Sequence, residues 1–282
     1  MAQLVSTLTA TSVAPFGITP VRSPRVQKLW KGIGCALAVI VLGSFAAQIV
    51  GTVAYMKIPA THRVFAKNIS FLNVNDASGS VTIVRSDSSS TVVNSSGERG
   101  LVAPTNSEQV LNNTLFVRSN CQGFFDNYCD RHFTIHVPST VHITVDTGQG
   151  DILVSGINGA MTLTTGQGDV DIAGSPLSLR VTTGQGSINA TALSSASVFA
   201  HTGQGNIVLN FTRPPTTVTA LTGQGNISVL VPRGPDSYQL NATSDQGNAA
   251  KDVPDNSESH RIINASSGQG NIVIRYNHDT VS

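Results

Sequence analysis

Charge is what this 282-residue sequence has least of. Only 12% of its residues are Asp, Glu, Lys or Arg, about half the roughly 25% usual in soluble domains. Aromatic residues make up 5%, with a single Trp. The shortage of basic residues removes the electrostatic footprint that phosphate-backbone binding needs, so nucleic acid is excluded as a partner. A wholly disordered chain is excluded too: disorder combines low hydrophobicity with high net charge, and here the apolar share is 40% and the net charge +1. There is no phosphate-cradling loop, no GxSxG elbow and no Cys/His nucleophile pair, and no cofactor is implied. In place of charge stand 59 Ser and Thr, 26 Gly and 20 Asn.

The apolar residues are unevenly spread. From Ile33 to Met56 the chain runs 24 residues without a formal charge, about 36 Å as a helix and enough to cross a hydrocarbon core of roughly 30 Å. Arg22, Arg25, Lys28 and Lys31 precede it, and positions 1–32 hold no acid. The positive-inside bias therefore predicts a cytoplasmic segment 1–32, a single transmembrane signal anchor 33–56 and an extracytoplasmic domain 57–282, although Lys57, Arg63 and Lys67 weaken the asymmetry. Cleavage, for instance after Ala54, is the competing reading; a signal peptide would carry a shorter apolar stretch and a shorter leader. Cys35 lies at the start of the apolar run and reads as a membrane-embedded thiol.

Beyond the anchor, Cys121 and Cys129 enclose the loop CQGFFDNYC. Two cysteines in an oxidising compartment are expected to pair. Cys129, His132 and His136 have ligand-like spacing for zinc, but RHFTIHV reads as a strand with Phe133, Ile135 and Val137 on one face, the histidines on the other and no fourth ligand specified. The predicted reading is a disulfide and no metal.

Self-similarity sets the architecture. TGQG begins at Thr147, Thr165, Thr183, Thr202 and Thr222, and recurs as SDQG at Ser244 and SGQG at Ser267. Four and two residues before each Thr or Ser the positions are apolar, as in Met161/Leu163 and Leu179/Val181. Five and seven residues after it they are apolar again, as in Val170/Ile172 and Ile207/Leu209. Only the sixth copy breaks, at Lys251. Each copy is thus a period-two strand, a glycine turn and a second period-two strand, and one copy alone cannot bury its apolar face. Stacking successive copies about 4.8 Å apart does, which predicts an all-β fold: a right-handed parallel β-solenoid, or β-helix-like repeat array, after one N-terminal transmembrane helix. An antiparallel meander of hairpins is the competing arrangement. The Gln column from Gln149 to Gln269 is expected to bond through its amides.

A degenerate eighth copy precedes the array: Leu72, Val74, Ser78–Ser80, Val81 and Ile83, with Gly79 where Gly150 falls in the better copies. Residues 84–132 are either solenoid coils or a loop insertion. Within the array the motif core is constant in length, while the connections between copies grow through 6, 6, 7, 8, 10 and 11 residues. All insertions therefore project from one side, the side that commonly carries binding in repeat proteins. Arg213, Arg233 and Tyr238 are the candidate ligand contacts there, with Phe211, Asp252, Asp255 and Arg261 nearby.

TGQGDI, the stretch VPSTVHITVDTGQGDI from Val137, and the VP at Val231 resemble the bacterial putative adhesin family of β-strand repeat proteins, a domain of unknown function. The resemblance covers most of residues 69–276. It implies a β-repeat fold and a membrane-anchored envelope protein, and it carries no catalytic residues.

Two chemistries remain to be weighed. Calcium-binding GGxGxD coils place an acid where this repeat has Ile152, and the neighbouring position reads Asp151, Asp169, Ser187, Asn206, Asn226, Asn248 and Asn271, too little charge for a hard cation beyond an Asp151/Asp169 pair. Polysaccharide cleavage needs acids gathered on one face; Asp146, Asp151, Asp169 and Asp171 with Arg180 are the only cluster, and no aromatic platform for a sugar is apparent. The sequence therefore predicts a non-catalytic surface-binding module, its partners the membrane and envelope or surface glycans or proteins. A membrane-tethered polysaccharide-active enzyme and an envelope-stress sensor or scaffold are the alternatives.

Overall fold

A computed structural model describes residues 33–44, 56–66, 68–99, 104–120 and 129–277. The chain divides into two units, Met1–Ile49 and Val50–Ser282. In the first, residues 33–44 form a helix that is exposed along its whole length, Leu37, Val39 and Leu42 included. Residues 45–55 lie outside the described residues, so the expected 33–56 span is only partly in view. Its last residue, Met56, opens a strand. No helix among the described residues is long and apolar enough to cross a membrane.

The second unit is built from strands. Ahead of the repeats come β1 (Met56–Phe65), β2 (Phe71–Asp76), β3 (Val81–Arg85), β4 (Thr91–Arg99), β5 (Thr105–Leu111), β6 (Thr114–Asn120) and β7 (Cys129–Val137). The seven repeats then supply two strands each: β8 (His142–Gln149) and β9 (Ile152–Ser155), β10 (Met161–Gln167) and β11 (Val170–Ala173), β12 (Ser178–Gln185) and β13 (Ile188–Leu193), β14 (Ser197–Gln204) and β15 (Ile207–Phe211), β16 (Thr217–Gln224) and β17 (Ile227–Val231), β18 (Gln239–Gln246) and β19 (Ala249–Lys251), β20 (Ile262–Gln269) and β21 (Ile272–Tyr276).

First strands join one sheet and second strands another. The pairing is parallel, and equivalent positions stand side by side: Leu163 beside Val181, Thr165 beside Thr183, Gln167 beside Gln185, and Ile172 beside Ala190. The meander is thereby excluded, since hairpins would pair each first strand with its own second strand. Period-two alternation sends Leu163, Val181, Ile188 and Leu209 into a dry interior shared by the two sheets. Each such side chain contributes about 1.5–3 kcal/mol by leaving water.

The degenerate copy is a true coil: Leu72 and Val74 stand beside Ile143 and Val145, and Val81 and Ile83 beside Ile152 and Val154. Residues 84–132 are more than a loop. β6 stacks on β2 and β7 on β3, forming another coil. Leu115, Val117 and Ser119 carry the first-strand pattern, but the sequence after Ser119 does not repeat the GQG of the other copies. β4 and then β1 add antiparallel to β7, and β5 adds antiparallel to β6, closing that end.

Spatial order departs from chain order at the far end. The sheets finish β16–β20–β18 and β17–β21–β19, so the seventh copy lies between the fifth and the sixth. Simple succession of copies, expected from the sequence, therefore fails there. The two longest connections, 10 and 11 residues, are those on either side of the sixth copy: the first has to span two layers, from β17 past the seventh copy to β18, and the second returns from β19 to β20 in the layer next to it. The sixth copy ends the stack, and its second strand, Ala249–Lys251, is exposed throughout. Its inward position holds Lys251 opposite Ile274, and the Lys251 ammonium donates across the open end to the Leu240 carbonyl at 2.6 Å and to Asp255 at 3.0 Å.

Candidate binding site

Each residue of the TGQG motif has a task in the stack. The Thr hydroxyl is buried and donates to a glycine carbonyl of the neighbouring coil, as from Thr165 to Gly150 at 3.0 Å and from Thr202 to Gly186 at 2.8 Å. The last glycine turns the chain at positive φ, +140° at Gly186, where an added Cβ would come 2.0 Å from the Gly168 carbonyl oxygen. Its N–H donates to a Gln carbonyl of the next coil, Gly186 to Gln204 at 2.8 Å. The Gln column is thus joined through its backbone; among the described residues no bond between Gln side chains is present, contrary to the expected amide ladder.

The side-chain ladder belongs to the next position. Asp151 Oδ1 accepts the Asp169 N–H at 2.9 Å, Asp169 Oδ1 the Ser187 N–H at 2.7 Å, Asn206 Oδ1 the Asn226 N–H at 2.8 Å and Asn271 Oδ1 the Asn248 N–H at 3.0 Å. Asp, Ser and Asn interchange here because all three present an accepting oxygen. The four acids weighed for catalysis do not converge. Asp151 and Asp169 lie on the turn column, Asp146 faces out from β8 and Asp171 out from β11, where it accepts from the Asn189 amide at 3.2 Å.

The ladder ends at β7. His132 Nδ1 lies 2.7 Å from Ser80 Oγ and accepts the Ser80 N–H at 3.4 Å, and His132 Nε2 lies 3.2 Å from Asp130. These residues, with Gln149 and Asp151, line a polar hollow of about 320 Å³. His132 and His136 share the face opposite Phe133, Ile135 and Val137, as expected. Among the described residues no group of three or more His, Cys, Asp or Glu could hold a metal ion. Cys121 lies outside the described residues. Cys129 is not a free thiol; the free cysteine among the described residues is Cys35.

Behind this hollow the buried hydroxyl column changes character. Asp76 stands between Ser119 and Thr147, in the place of the motif Thr. It is 2% exposed, and neither carboxyl oxygen meets a hydrogen-bond partner among the described residues. Burial pushes its pKa up to about 7, outweighing the nearby Ser119 hydroxyl and Ser78 backbone; the Asp130 charge adds to the rise and Arg131 opposes it. Arg131 is buried as well, donating to Ser95 at 2.8 Å, and burial lowers its pKa.

On the connection side the sequence candidates separate. Arg213 and Arg233 are exposed, and the Arg233 guanidinium lies 5.1 Å from the Tyr276 ring centre. Tyr238 is a core residue with no exposed surface, its hydroxyl pKa raised to about 12, chiefly by burial; it is not displayed as a loop contact would be. Phe211 is likewise buried. Arg261 is structural, donating to Asp236 at 2.9 Å and to the Pro214 and Pro215 carbonyls at 3.1 and 3.2 Å. Asp236, Ser237, Asn256, Glu258, His260 and Arg261 line a cleft of about 550 Å³ on this side.

The sequence missed the outer face of the first-strand sheet. Phe71 stacks on His142 with ring centres 5.2 Å apart, and Arg180 lies over Phe199 at 4.2 Å. The signal was present: Arg180 and Phe199 both stand three residues before their motif Thr, an outward position. Phe71 entered the column only through the degenerate copy.

Two in-register parallel sheets closed over an apolar interior define a β-solenoid of repeat type. The chain belongs to the Toastrack DUF4097 family, whose model matches residues 134–282. Among solved structures it is similar to a putative adhesin from Bacteroides fragilis, 16% identical, covering 78% of this chain and 97% of that one at a TM-score of 0.42. It is also similar to a putative cell adhesion protein from Clostridium sporogenes, 13% identical, covering 78% of this chain and 100% of that one at a TM-score of 0.37. No curated protein matches the sequence.

Proposed function

We propose that this protein is a non-catalytic, membrane-anchored surface-binding module. The carrying observation is where the polar groups go. The motif hydroxyls, the Asp/Asn column and Arg261 are spent on holding coil to coil, and the acids weighed for catalysis sit on different faces, while the two sheets present rigid outer surfaces at fixed spacing. Such a stack acts by geometry: it displays side chains and does not rearrange them.

The anchor is the remaining part of the reading. A helix exposed on all sides with apolar residues on every face suits lipid better than water, and residues 33–44 are of that kind. They account for about 18 Å at 1.5 Å per residue, part of a bilayer span that the uncharged run continues through residues 45–55. The basic residues ahead of it favour a cytoplasmic N-terminus and an extracytoplasmic array. In that oxidising setting Cys121 and Cys129 form a tie across their loop, and the solenoid winds right-handed, the hand that parallel crossovers take.

A glycan and protein binding array probed with the full chain tests the module. Specific retention of a surface component is expected. Turnover of a polysaccharide, lost in Asp151→Asn and Asp169→Asn, would overturn the non-catalytic reading. Protease accessibility in intact cells tests the topology: cleavage confined to the segment after residue 56 is expected.

A further inference from the structure

We propose that the outer face of the first-strand sheet carries a binding groove for an acidic saccharide, a uronate-bearing oligosaccharide, with Phe71 and His142 at one end and Arg180 on Phe199 at the other. This inference rests on the reading of the protein as a surface-binding module and names its ligand class.

The groove is made by stacking. Outward positions of five successive coils form two columns on one face, Phe71, His142, Ala160, Ser178 and Ser197 in the first and Asn73, Thr144, Thr162, Arg180 and Phe199 in the second. The middle of both columns holds small side chains, so a trough of about 410 Å³ opens between the aromatic ends. His142 and Arg180 lie two coil steps apart, about 10 Å. That is room for a pair of linked pyranose rings lying flat.

Each element suits a sugar acid. Phe71 is half exposed and backs the His142 ring, 5.2 Å away, so that the stacked pair offers an apolar aromatic wall to the C–H face of a pyranose. Thr144, Thr162, Ser178 and Ser197 border the floor with hydroxyls that donate and accept. His142 Nδ1 accepts the Ala160 N–H at 3.2 Å, which fixes the neutral tautomer with Nε2–H as a free donor. Arg180 is held flat by the Phe199 ring, so its guanidinium edge remains available for a bidentate contact with a carboxylate. No acid lines the groove. The charge complement of that lining is an anion, and the shallow aromatic-and-hydroxyl floor asks for the anion to be carried on a sugar.

Calorimetric titration of the full chain in detergent with galacturonate oligosaccharides, with their neutral methyl esters and with inorganic phosphate tests this. The acid form is expected to bind about tenfold more tightly than the ester, and phosphate is expected not to displace it. Arg180→Gln should make acid and ester equal, while Phe71→Ala should weaken both about tenfold. Equal binding of acid and ester by the unaltered protein, displacement by phosphate, or unchanged affinity in both variants would overturn the groove. If the unaltered protein and both variants retain some other surface component alike, the groove falls and the binding-module reading stands. If the unaltered protein retains nothing on the array or in the titration, both fall.

Discussion

The middle of the stack and its two ends are built by different rules. From β8 to β17 the coils follow chain order, every inward position other than the motif Thr is apolar or uncharged, and the same hydroxyl and carbonyl meet at every step. At both ends the outermost complete coil is an internal piece of chain: β6 with β7 at one end, β18 with β19 at the other, each outside the coil that precedes or follows it in sequence. The ends also hold the charges that the middle rejects, Asp76 and Arg131 at one, Lys251 with Asp255 at the other. A buried column of identical positions cannot carry charge without setting like against like at one coil spacing, whereas the exposed turn column tolerates Asp151 beside Asp169. The outermost layer has one neighbour fewer, and there Lys251 serves as a stop; Asp76, flanked by Ser119 and Thr147, is instead a single carboxyl in a column of hydroxyls.

Substitution at the turn glycine should separate the regions most sharply. Gly186→Val puts a Cβ 2.0 Å from a backbone oxygen at φ +140° with coils on both sides, and a loss of roughly 3 kcal/mol or more in denaturant unfolding is expected. Gly247→Val meets the Gly270 carbonyl at 2.2 Å but lies in the outermost coil. Its cost should be clearly smaller, because that coil can loosen alone. Equal losses would mean that the stack melts as one unit and that the distinction has no energetic content.

Asp76→Thr makes one end like the middle. The carboxyl pKa is raised from 3.8 to about 7 in the fold, so the folded state favours the protonated form. Its contribution is therefore fully present below about pH 4 and is lost as pH rises through 7. Between those limits the unaltered protein should lose up to about 4 kcal/mol of stability, while the Thr variant stays flat and is the more stable at pH 8. Chemical denaturation at pH 5 and pH 8 checks both; parallel pH profiles would remove Asp76 from the account.

The smallest expected effect on stability is at the other end. Lys251→Met should change unfolding by less than about 1 kcal/mol, since the ammonium is partly solvated and edge ion pairs contribute little. Removing an inward-pointing lysine from a sheet edge also removes its guard against pairing with another chain. Sedimentation should then show stronger concentration-dependent association in the variant than in the unaltered protein.

Strands, turn positions, inward faces and the equivalence of the copies were all legible in the sequence, because each is a local period. The extra coil of β6 and β7 was not, since residues 121–128 stand where the glycine turn would be. Nor was the inversion of the last two copies: identical registers fit β16 to β18 as well as to β20, and only Lys251 and the two longest connections hinted at the order. The groove stayed hidden for a related reason. Phe71, His142, Arg180 and Phe199 span 129 positions of sequence, and they become neighbours only once the order of coils is known. Tyr238 misled in the opposite sense, because a long connection that crosses two layers can tuck its own aromatic residue inside.

The inversion at the far end also bears on the order in which the chain is made. β18 and β19 leave the ribosome before β20 and β21, at a moment when the edge they would fit, β16 and β17, is still bare. Docking there early would press Lys251 into an apolar layer that the last repeat then seals from the far side, and an unpaired buried ammonium costs several kcal/mol. The one residue that breaks the pattern thus sits in the one layer whose inward face stays open, and the last repeat made is not the last layer of the stack.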